Sequence, residues 1–153
     1  MVATSSEIRL QELAQQIFDL VAQFCLLSPR GRRRGGDLKE IEFLALSLLQ
    51  RRESLIVGDI QRQLGVLPAQ MSRIIRSLET REHPLITCRI NPHDKRKIDV
   101  ALTADGISAF QDYQSNRIGG ICDLLGKMSE EDHEDLQRLL GRFHDVVVPP
   151  TFE

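Results

Sequence analysis

Long apolar runs are missing from this sequence of 153 residues. No stretch approaches the ~18 consecutive apolar residues of a membrane-spanning helix, and the acidic, polar N-terminus lacks the charged-then-apolar order of a signal peptide. We therefore expect a cytoplasmic protein. Cysteine is also scarce, and an odd number at wide spacing suits a reducing compartment rather than a disulfide framework. The three cysteines are Cys25, Cys88 and Cys122.

Motifs of catalysis and metal binding are missing as well. The chain has no glycine-rich phosphate loop, no Gly-x-Ser-x-Gly and no His-Glu-x-x-His. Its four histidines lack the paired spacing of zinc ligands. The simplest interpretation of His133, near Glu130 and Asp135, is a solvated helix face. We therefore predict that the protein is not an enzyme and needs no cofactor.

Two short helical patterns and two alternating strands make residues 55–106 the informative part of the chain. A tight turn at Gly65-Val66-Leu67 separates the helical patterns, and a basic tip from Asn91 to Lys97 separates the strands. This order predicts a helix-turn-helix followed by a β-hairpin wing. Such an arrangement places one helix and one cationic loop on the same side of a small domain.

The helix after the turn has two faces of different chemistry. Its apolar stripe, which we expect to be buried, consists of Met71, Ile74, Ile75 and Leu78. The polar face consists of Ala69, Gln70, Arg73, Arg76, Ser77 and Thr80, with Ser72 at its edge. Gln pairs with adenine and Arg with guanine, which suits a helix lying in a major groove. Pro68 fits the first helical position, whereas Leu67 is a weak N-cap.

The predicted wing has one apolar face and a cationic tip. The apolar face consists of Ile86, Cys88, Ile90, Ile98, Val100 and Leu102. Their period-2 alternation with polar residues indicates a two-stranded ribbon. The tip, Asn-Pro-His-Asp-Lys-Arg-Lys, is a turn by composition. Its place directly after a candidate recognition helix favours contact with nucleic acid over a merely solvated surface.

Three motifs resemble the signature of a known family. They are Leu78-Glu79, Asp94-Lys95-Arg96 and Leu102-Thr103-Ala104-Asp105-Gly106. Together they resemble the LE…D-x-R…LT-x-x-G pattern of the MarR (multiple antibiotic resistance regulator) family of winged-helix transcription factors, over about residues 38–106. The resemblance implies an all-α-plus-wing homodimer that binds a palindromic operator and usually represses transcription.

The resemblance also implies roles for residues at matching positions. Arg96 would enter the minor groove, and Asp94 would hold it in place. The residues that would face the major groove are Gln70, Ser72 and Arg73. Family members usually have Gly where this chain has His83-Pro84, which predicts an altered path into the wing. Leu67 stands where a Ser or Thr would supply a phosphate contact.

Two groups of residues are thus expected to contact DNA. Those of the recognition helix are Pro68, Ala69, Gln70, Ser72, Arg73 and Arg76. Those of the wing are Arg89, Asp94, Lys95, Arg96 and Lys97. The helix would read or border the major groove, while the wing would hold the backbone and the minor groove. Arg62, at the end of the first motif helix, is a weaker candidate for a phosphate contact.

Charge is distributed unevenly along the chain. The formal net charge is −2, but residues 30–97 contain fifteen Lys and Arg against eight Asp and Glu. This asymmetry is typical of a protein that presents one basic face to phosphates. Within this part, four arginines between Pro29 and Gly36 predict a flexible cationic loop. The loop either is solvated or adds phosphate contacts.

Helical patterns with apolar stripes flank the basic part. The first runs from about Glu7 to Leu27, and the last starts at Ser129 with Asp132 in capping-box spacing. Between them, Thr103 is a good N-cap for a long helix. The stripes either fold back on their own core or form a dimer interface. We favour the interface, since a two-fold dimer would set two recognition helices about 34–36 Å apart. The expected dimerisation residues are Leu13, Ile17, Leu20, Phe24, Leu136, Leu139, Leu140 and Phe143.

The expected fold class is mainly α with a small β-hairpin wing. With 41% hydrophobic and 27% charged residues, the chain is expected to form one domain over residues 1–153. Within it, residues 38–103 would form the winged helix-turn-helix part. Residues 5–28 and 104–148 would form the helical dimerisation part.

We thus expect a dimeric, ligand-responsive repressor that binds double-stranded DNA. As the resemblance implies, a pocket between the helical interface and the winged part would accept a small apolar or aromatic effector, which no residue pattern identifies. Two alternatives stay open. One is a thiol-based redox sensor or enzyme using Cys25, with Cys122 as a peroxidase partner. The other is a winged helix that binds a protein instead of DNA.

Overall fold

Residues 4–27 and 37–147 are described by a computed structural model, with side chains described for residues 4–26 and 37–147. The chain divides into two units, Met1–Asp37 and Leu38–Glu153. The described residues form six helices and one three-stranded sheet. The arginine-rich loop predicted between Pro29 and Gly36 lies outside them.

The first unit contains helix α1 (Ser5–Leu27). Thr4 caps it, because its Oγ1 accepts a hydrogen bond from the backbone N–H of Glu7 at 3.3 Å, and the Glu7 carboxylate accepts one from the backbone N–H of Thr4 at 2.7 Å. The backbone and side-chain hydrogen bonds from Thr4 lower the pKa of Glu7. The helix predicted from Glu7 is confirmed and begins two residues earlier.

The second unit holds the remaining elements, which include all of the predicted helix-turn-helix and wing. Its helices are α2 (Glu40–Gln50), α3 (Val57–Leu64), α4 (Pro68–Glu79), α5 (Ala104–Leu125) and α6 (Glu130–Val147). Its strands are β1 (Leu55–Ile56), β2 (Ile86–Ile90) and β3 (Ile98–Leu102).

The turn between α3 and α4 follows from three adjacent residues. Gly65 ends α3 in the left-handed region, with φ of 64°, where a residue without Cβ is favoured. Pro68 occupies the first turn of α4, where its missing N–H costs no helical hydrogen bond. Leu67 is the N-cap and gives no side-chain cap, as predicted. The helix-turn-helix is therefore confirmed.

The sheet has the strand order β1-β3-β2, and both pairings are antiparallel. The predicted hairpin is confirmed, with Cys88 opposite Val100 and Ile90 opposite Ile98. The prediction of a two-stranded ribbon was wrong, because Leu55 also pairs with Val100 from the other side. Two residues are too few to show a period of two, so β1 had no pattern of its own in the sequence.

A hydrophobic core lies where α2, α3 and α4 pack against the sheet and the start of α5. Its buried residues are Leu38, Ala45, Leu46, Leu49, Ile60, Met71, Ile74, Leu78, Leu85, Ile86, Val100 and Phe110. All of them belong to the second unit. The core of the winged helix-turn-helix is thus complete within one chain.

The path from α4 into the wing is held by backbone contacts. Leu85 N–H donates to the Leu78 carbonyl at 2.9 Å, and Thr103 Oγ1 donates to the Pro84 carbonyl at 2.6 Å. Thr103 also caps α5, as predicted, by accepting from Gly106 N–H at 3.0 Å. A Cβ on Gly106 would lie 2.0 Å from the Leu85 carbonyl oxygen, so only glycine allows this approach. These contacts fix the chain on either side of His83-Pro84.

The turn between α5 and α6 contains the predicted cap and one unpredicted contact. Ser129 and Asp132 form the expected reciprocal hydrogen bonds. The interpretation of His133 as a solvated residue was wrong, because its Nε2 lies 2.7 Å from the Leu125 carbonyl oxygen. This hydrogen bond raises the pKa of His133, and the nearby Glu130 carboxylate raises it further. His133 therefore joins the end of α5 to the first turn of α6.

Candidate nucleic-acid interface

Helix α4 has the two faces that the sequence predicts. Met71, Ile74 and Leu78 are buried, while Ile75 is half-buried at the edge of the core. The exposed side chains are those of Pro68, Ala69, Gln70, Ser72, Arg73 and Arg76. Ser72 Oγ donates to the Pro68 carbonyl at 3.1 Å and can still accept a hydrogen bond. The exposed face thus carries an amide, a hydroxyl and two guanidinium groups on a helix whose other side is anchored.

One residue assigned to the exposed face of α4 lies elsewhere. Ser77 is half-buried, and its Oγ donates to Glu42 Oε1 on α2 at 2.5 Å. The sequence could not show this, because Glu42 is 35 positions away. The prediction that Ser77 faces away from the core was therefore wrong.

Glu42 is a buried carboxylate that joins α2 to the end of α4. It is 1% exposed and also accepts from Arg81 Nη2 at 2.9 Å and from the Lys39 backbone N–H at 2.8 Å. A buried charge is tolerated only when it is paired and hydrogen-bonded, and these donors satisfy that condition. Glu42 thereby fixes the C-terminal end of α4 relative to α2.

The wing tip presents its cations to solvent. Asp94 Oδ1 accepts from Arg96 Nε at 3.3 Å and from the Arg96 backbone N–H at 3.1 Å. The Arg96 side chain is nevertheless 92% exposed, whereas that of Asp94 is 29% exposed. Lys97 Nζ lies 3.8 Å from the other Asp94 oxygen. Asp94 thus contacts Arg96 as the family resemblance implies, and Lys95 and Arg89 are also exposed.

Asn91 organises the same tip and was not among the predicted site residues. Its side-chain oxygen accepts from the backbone N–H groups of His93 and Asp94, both at 2.9 Å. Its amide nitrogen donates to both carboxylate oxygens of Asp99, at 2.9 and 3.1 Å. The composition of the tip indicated a turn, but the partner on β3 could be found only once the register was known.

The weaker candidate on α3 is occupied by an ion pair. Arg62 Nη2 lies 2.7 Å from Asp59 Oδ1, and the arginine side chain is 80% exposed. Both residues line an open depression of about 460 Å³, together with Arg52, Leu55 and Gln63. A surface pair of this kind contributes little to stability, so Arg62 stays available to other anions.

The cysteines differ in their surroundings. Cys88 on β2 is half-buried, and its pKa is raised to about 11. The largest cause is burial, followed by the charge and the hydrogen bond of Glu79. Because the thiolate is the reactive form, Cys88 is a poor nucleophile at neutral pH. Cys25 and Cys122 are exposed.

The predicted dimerisation residues have exposed apolar side chains. On α1, Leu13, Ile17 and Leu20 are each about half exposed, and Phe24 is half-buried. All of α6 is described and none of its residues is buried, so its apolar stripe is left largely in solvent. Leu139, Leu140 and Phe143 are exposed there, while Leu136 is half-buried.

Within residues 4–27 and 37–147, none of the helices combines the length and the hydropathy that a membrane span requires.

Comparison with known proteins finds a family model that matches the winged part. Residues 38–98 match the sequence model of the MarR family. No curated protein matches the sequence.

Solved structures share the fold along almost the whole chain. YusO from Bacillus subtilis has a TM-score of 0.68 at 20% identity, and the match covers 93% of this chain and 99% of that one. A mutant of MarR from E. coli has a TM-score of 0.63 at 17% identity and 94% and 98% coverage. BpsR from Bordetella bronchiseptica has a TM-score of 0.58 at 18% identity and 90% and 99% coverage.

These matches confirm the predicted fold class, which is mainly α with a small β-hairpin wing. The members of the family are transcription regulators with a winged-helix DNA-binding fold. The resemblance seen in the sequence is therefore confirmed, since residues 38–98 match the MarR family model and the chain has the fold of MarR-family regulators.

Proposed function

We propose that this protein is a sequence-specific, double-stranded DNA-binding regulator that acts as a homodimer on a palindromic operator and represses transcription in response to a ligand. We also propose that it is located in the cytoplasm. The observation that carries this proposal is the exposed polar face of α4, which lies opposite an apolar face anchored in the core.

The chemistry of that face fits a major groove. Gln70 and Arg73 can each form two hydrogen bonds with a base edge, Gln with adenine and Arg with guanine. Their neighbour Ala69 is small, which lets the start of the helix approach the bases closely. We propose that Pro68, Ala69, Gln70, Ser72, Arg73 and Arg76 form the reading surface.

The wing supplies the second group of contacts in this proposal. Arg96 is almost fully exposed beside Asp94, so it can enter a minor groove, whose negative potential attracts arginine. Arg89, Lys95 and Lys97 would bind phosphates, which adds affinity without base preference. The wing and α4 belong to the same unit, and α4 packs against β2.

A homodimer is supported by the apolar surface of the helices. Large exposed apolar patches on soluble proteins mark interaction sites, and α6 carries Leu139, Leu140, Phe143, Val146 and Val147 in exposed positions. A second copy of the chain presents the same surface and gives a closed two-fold assembly. Two recognition helices related in this way match the two halves of a palindrome.

An aromatic cluster between α2 and α5 supports a small aromatic effector. Phe43 stacks on Phe110 with ring centroids 5.1 Å apart and on Tyr113 at 4.4 Å. The guanidinium of Arg117 lies 5.2 Å from the Tyr113 ring centroid and donates to its hydroxyl at 2.7 Å. Phe43 and Tyr113 are half-buried, so a flat ligand could extend the stack. The similar protein BpsR has its DNA binding regulated by 6-hydroxynicotinic acid.

The proposal is tested by selecting bound duplexes from a random pool and measuring the affinity of the winning sequence. We expect a two-fold symmetric consensus. Arg73→Ala should weaken binding to it by about 1–3 kcal/mol and relax the base preference at one position in each half-site. Lys127→Ala is the matched control, because it removes one exposed cation outside the candidate interface. It should leave the preference unchanged.

Two results would contradict the proposal. A chain that enriches no sequence and binds all duplexes equally is not a sequence-specific regulator. A chain that binds no duplex at all supports the alternative of a winged helix that recognises a protein.

A further inference from the structure

The wing tip contains a continuous series of hydrogen bonds that starts on β3 and ends at Arg96. The Asp99 carboxylate accepts from the Asn91 amide, and the Asn91 oxygen accepts from the backbone N–H of Asp94. The Asp94 carboxylate in turn accepts from the backbone and the guanidinium of Arg96. Each of these hydrogen bonds has a donor–acceptor distance of 3.3 Å or less.

The strand register explains why Asn91 can reach Asp99. Arg89 is directly opposite Asp99, and side chains two positions apart on a strand lie on the same face. Asn91 therefore lies diagonally across from Asp99 on the polar face of the hairpin, within reach for a hydrogen bond. Asn91, Asp94 and Asp99 are half-buried, while the cations around them are exposed.

The bond from Asn91 to Asp99 also affects the charges of the wing. Both Asp99 oxygens accept from an uncharged amide, so this carboxylate is satisfied without taking a nearby cation. Without Asn91, Asp99 would be free to pair with Arg89, which faces it across the strands. Asn91 thus shapes the turn and also leaves a cation of the wing available for phosphates.

We propose that Asn91 is the positioning residue of the wing, which holds Arg96 in the orientation that DNA requires through Asp99 on one side and Asp94 on the other. This inference rests on the proposed DNA binding. A tip that is already ordered loses less conformational entropy on binding, so its arginine binds more tightly than the same arginine on a mobile loop.

Two variants separate this role from a general effect on folding. Asn91→Ala removes both sets of hydrogen bonds without changing the charge. The double variant N91D/D99N exchanges donor and acceptor. An aspartate at 91 still accepts from the backbone N–H groups of the turn, and an asparagine at 99 donates to it. The net charge is also unchanged, so the double variant should restore the tip.

The experiment measures the affinity of each variant for the duplex selected by the wild-type chain, together with its melting temperature. Arg96→Ala should weaken binding about tenfold, and Asn91→Ala about three- to tenfold, the worth of one or two hydrogen bonds. N91D/D99N should bind within about twofold of wild type. In the Arg96→Ala background, Asn91→Ala should weaken binding less than it does when Arg96 is present, because only its effect on Arg89 would remain.

Each other outcome overturns the inference in a distinguishable way. If wild type binds no duplex, both the proposed function and the inference fail. If wild type binds but Asn91→Ala binds equally well, only the inference fails. It also fails if Asn91→Ala weakens binding as much without Arg96 as with it. If Asn91→Ala does not fold, the double variant N91D/D99N decides. The inference fails if this variant is unfolded or binds weakly, because it keeps the hydrogen bond between positions 91 and 99 with donor and acceptor exchanged.

Discussion

The winged helix-turn-helix buries its apolar residues, whereas the helices after it leave many of theirs exposed. In the former, Leu46 and Val100 are fully buried inside one chain. Helix α5 changes character along its length, from the buried Phe110 to Ile118, which is 49% exposed. In α6, Phe143 is 52% exposed and Val146 is 79% exposed. The first region has a finished core, while the second exposes an apolar surface to solvent.

This difference predicts two kinds of stability. Substitutions in the finished core should change unfolding in a way that does not depend on protein concentration. Substitutions on the exposed helices should change association, and hence the degree to which the melting temperature depends on protein concentration. A core variant whose effect depends on protein concentration, or a variant of the exposed helices whose effect does not, would contradict this difference.

The largest effect is expected from charging the α6 stripe with L140D/F143D. Burying a Leu or Phe side chain contributes about 1.5–3 kcal/mol, and a two-fold interface contains each side chain twice. The loss of dimer stability should thus be about 6 kcal/mol or more. Sedimentation equilibrium should show a monomer that still has the helical content of wild type.

The matched control for that variant is Arg138→Asp, which places a carboxylate on the opposite side of α6 by helical periodicity. It should remain dimeric. A wild-type chain that is monomeric at all concentrations, or a control that dissociates as readily as L140D/F143D, would contradict the assignment of this stripe to an interface.

The next effect concerns the finished core. Glu42→Ala leaves Arg81 and Ser77 without their shared acceptor, and breaking a buried ion pair costs about 3 kcal/mol or more. Chemical denaturation should show this loss equally at low and high protein concentration. Glu40→Ala, an exposed carboxylate on the same helix, should cost less than about 0.5 kcal/mol. Equal effects of the two variants would show that Glu42 is not the link between α2 and α4.

A slightly smaller effect is expected from Gly106→Ala. The new Cβ would lie 2.0 Å from the Leu85 carbonyl oxygen, which forces α5 away from the start of β2 and costs about 2–3 kcal/mol. Gly58→Ala is the control, because nothing lies within 4 Å of its Cβ position and alanine is the better helix former. Thermal unfolding should show a large loss for the first variant and a small gain for the second.

The smallest effect is a pH dependence of stability at the turn between α5 and α6. The hydrogen bond to Leu125 raises the pKa of His133 above its unfolded value of about 6.5. Its contribution to stability is therefore complete below about pH 6.5 and is lost as the pH rises through the raised pKa. The melting temperatures of wild type and His133→Ala should differ more at acidic than at alkaline pH. A difference that is the same at acidic and alkaline pH would contradict this role of His133.

Local periodicity was enough to predict the elements that position the candidate site. The stripe of Met71, Ile74 and Leu78 identified both faces of α4, and strand alternation identified the two strands of the hairpin. These signals are local, since each depends on residues within one element or its neighbour. The caps at Thr103 and Ser129 could be predicted for the same reason.

The features that the sequence did not show all depend on partners that are distant in sequence or belong to the backbone. Ser77 was predicted to face away from the core, but it donates a hydrogen bond to Glu42 on α2. His133 bonds to a carbonyl, which every residue has, so no residue type marks the partner. Asn91 was predicted as a turn residue, but its contact with Asp99 follows only from strand register.

Recognition of base edges by α4 is measured by comparing the base preference of Arg73→Ala with that of wild type on the selected duplex and its single-base variants. Wild type should discriminate against substitutions at one position in each half-site. Arg73→Ala should lose that discrimination and keep the preference at the other positions. Equal base preferences for the two proteins at every position would show that α4 does not read bases through Arg73.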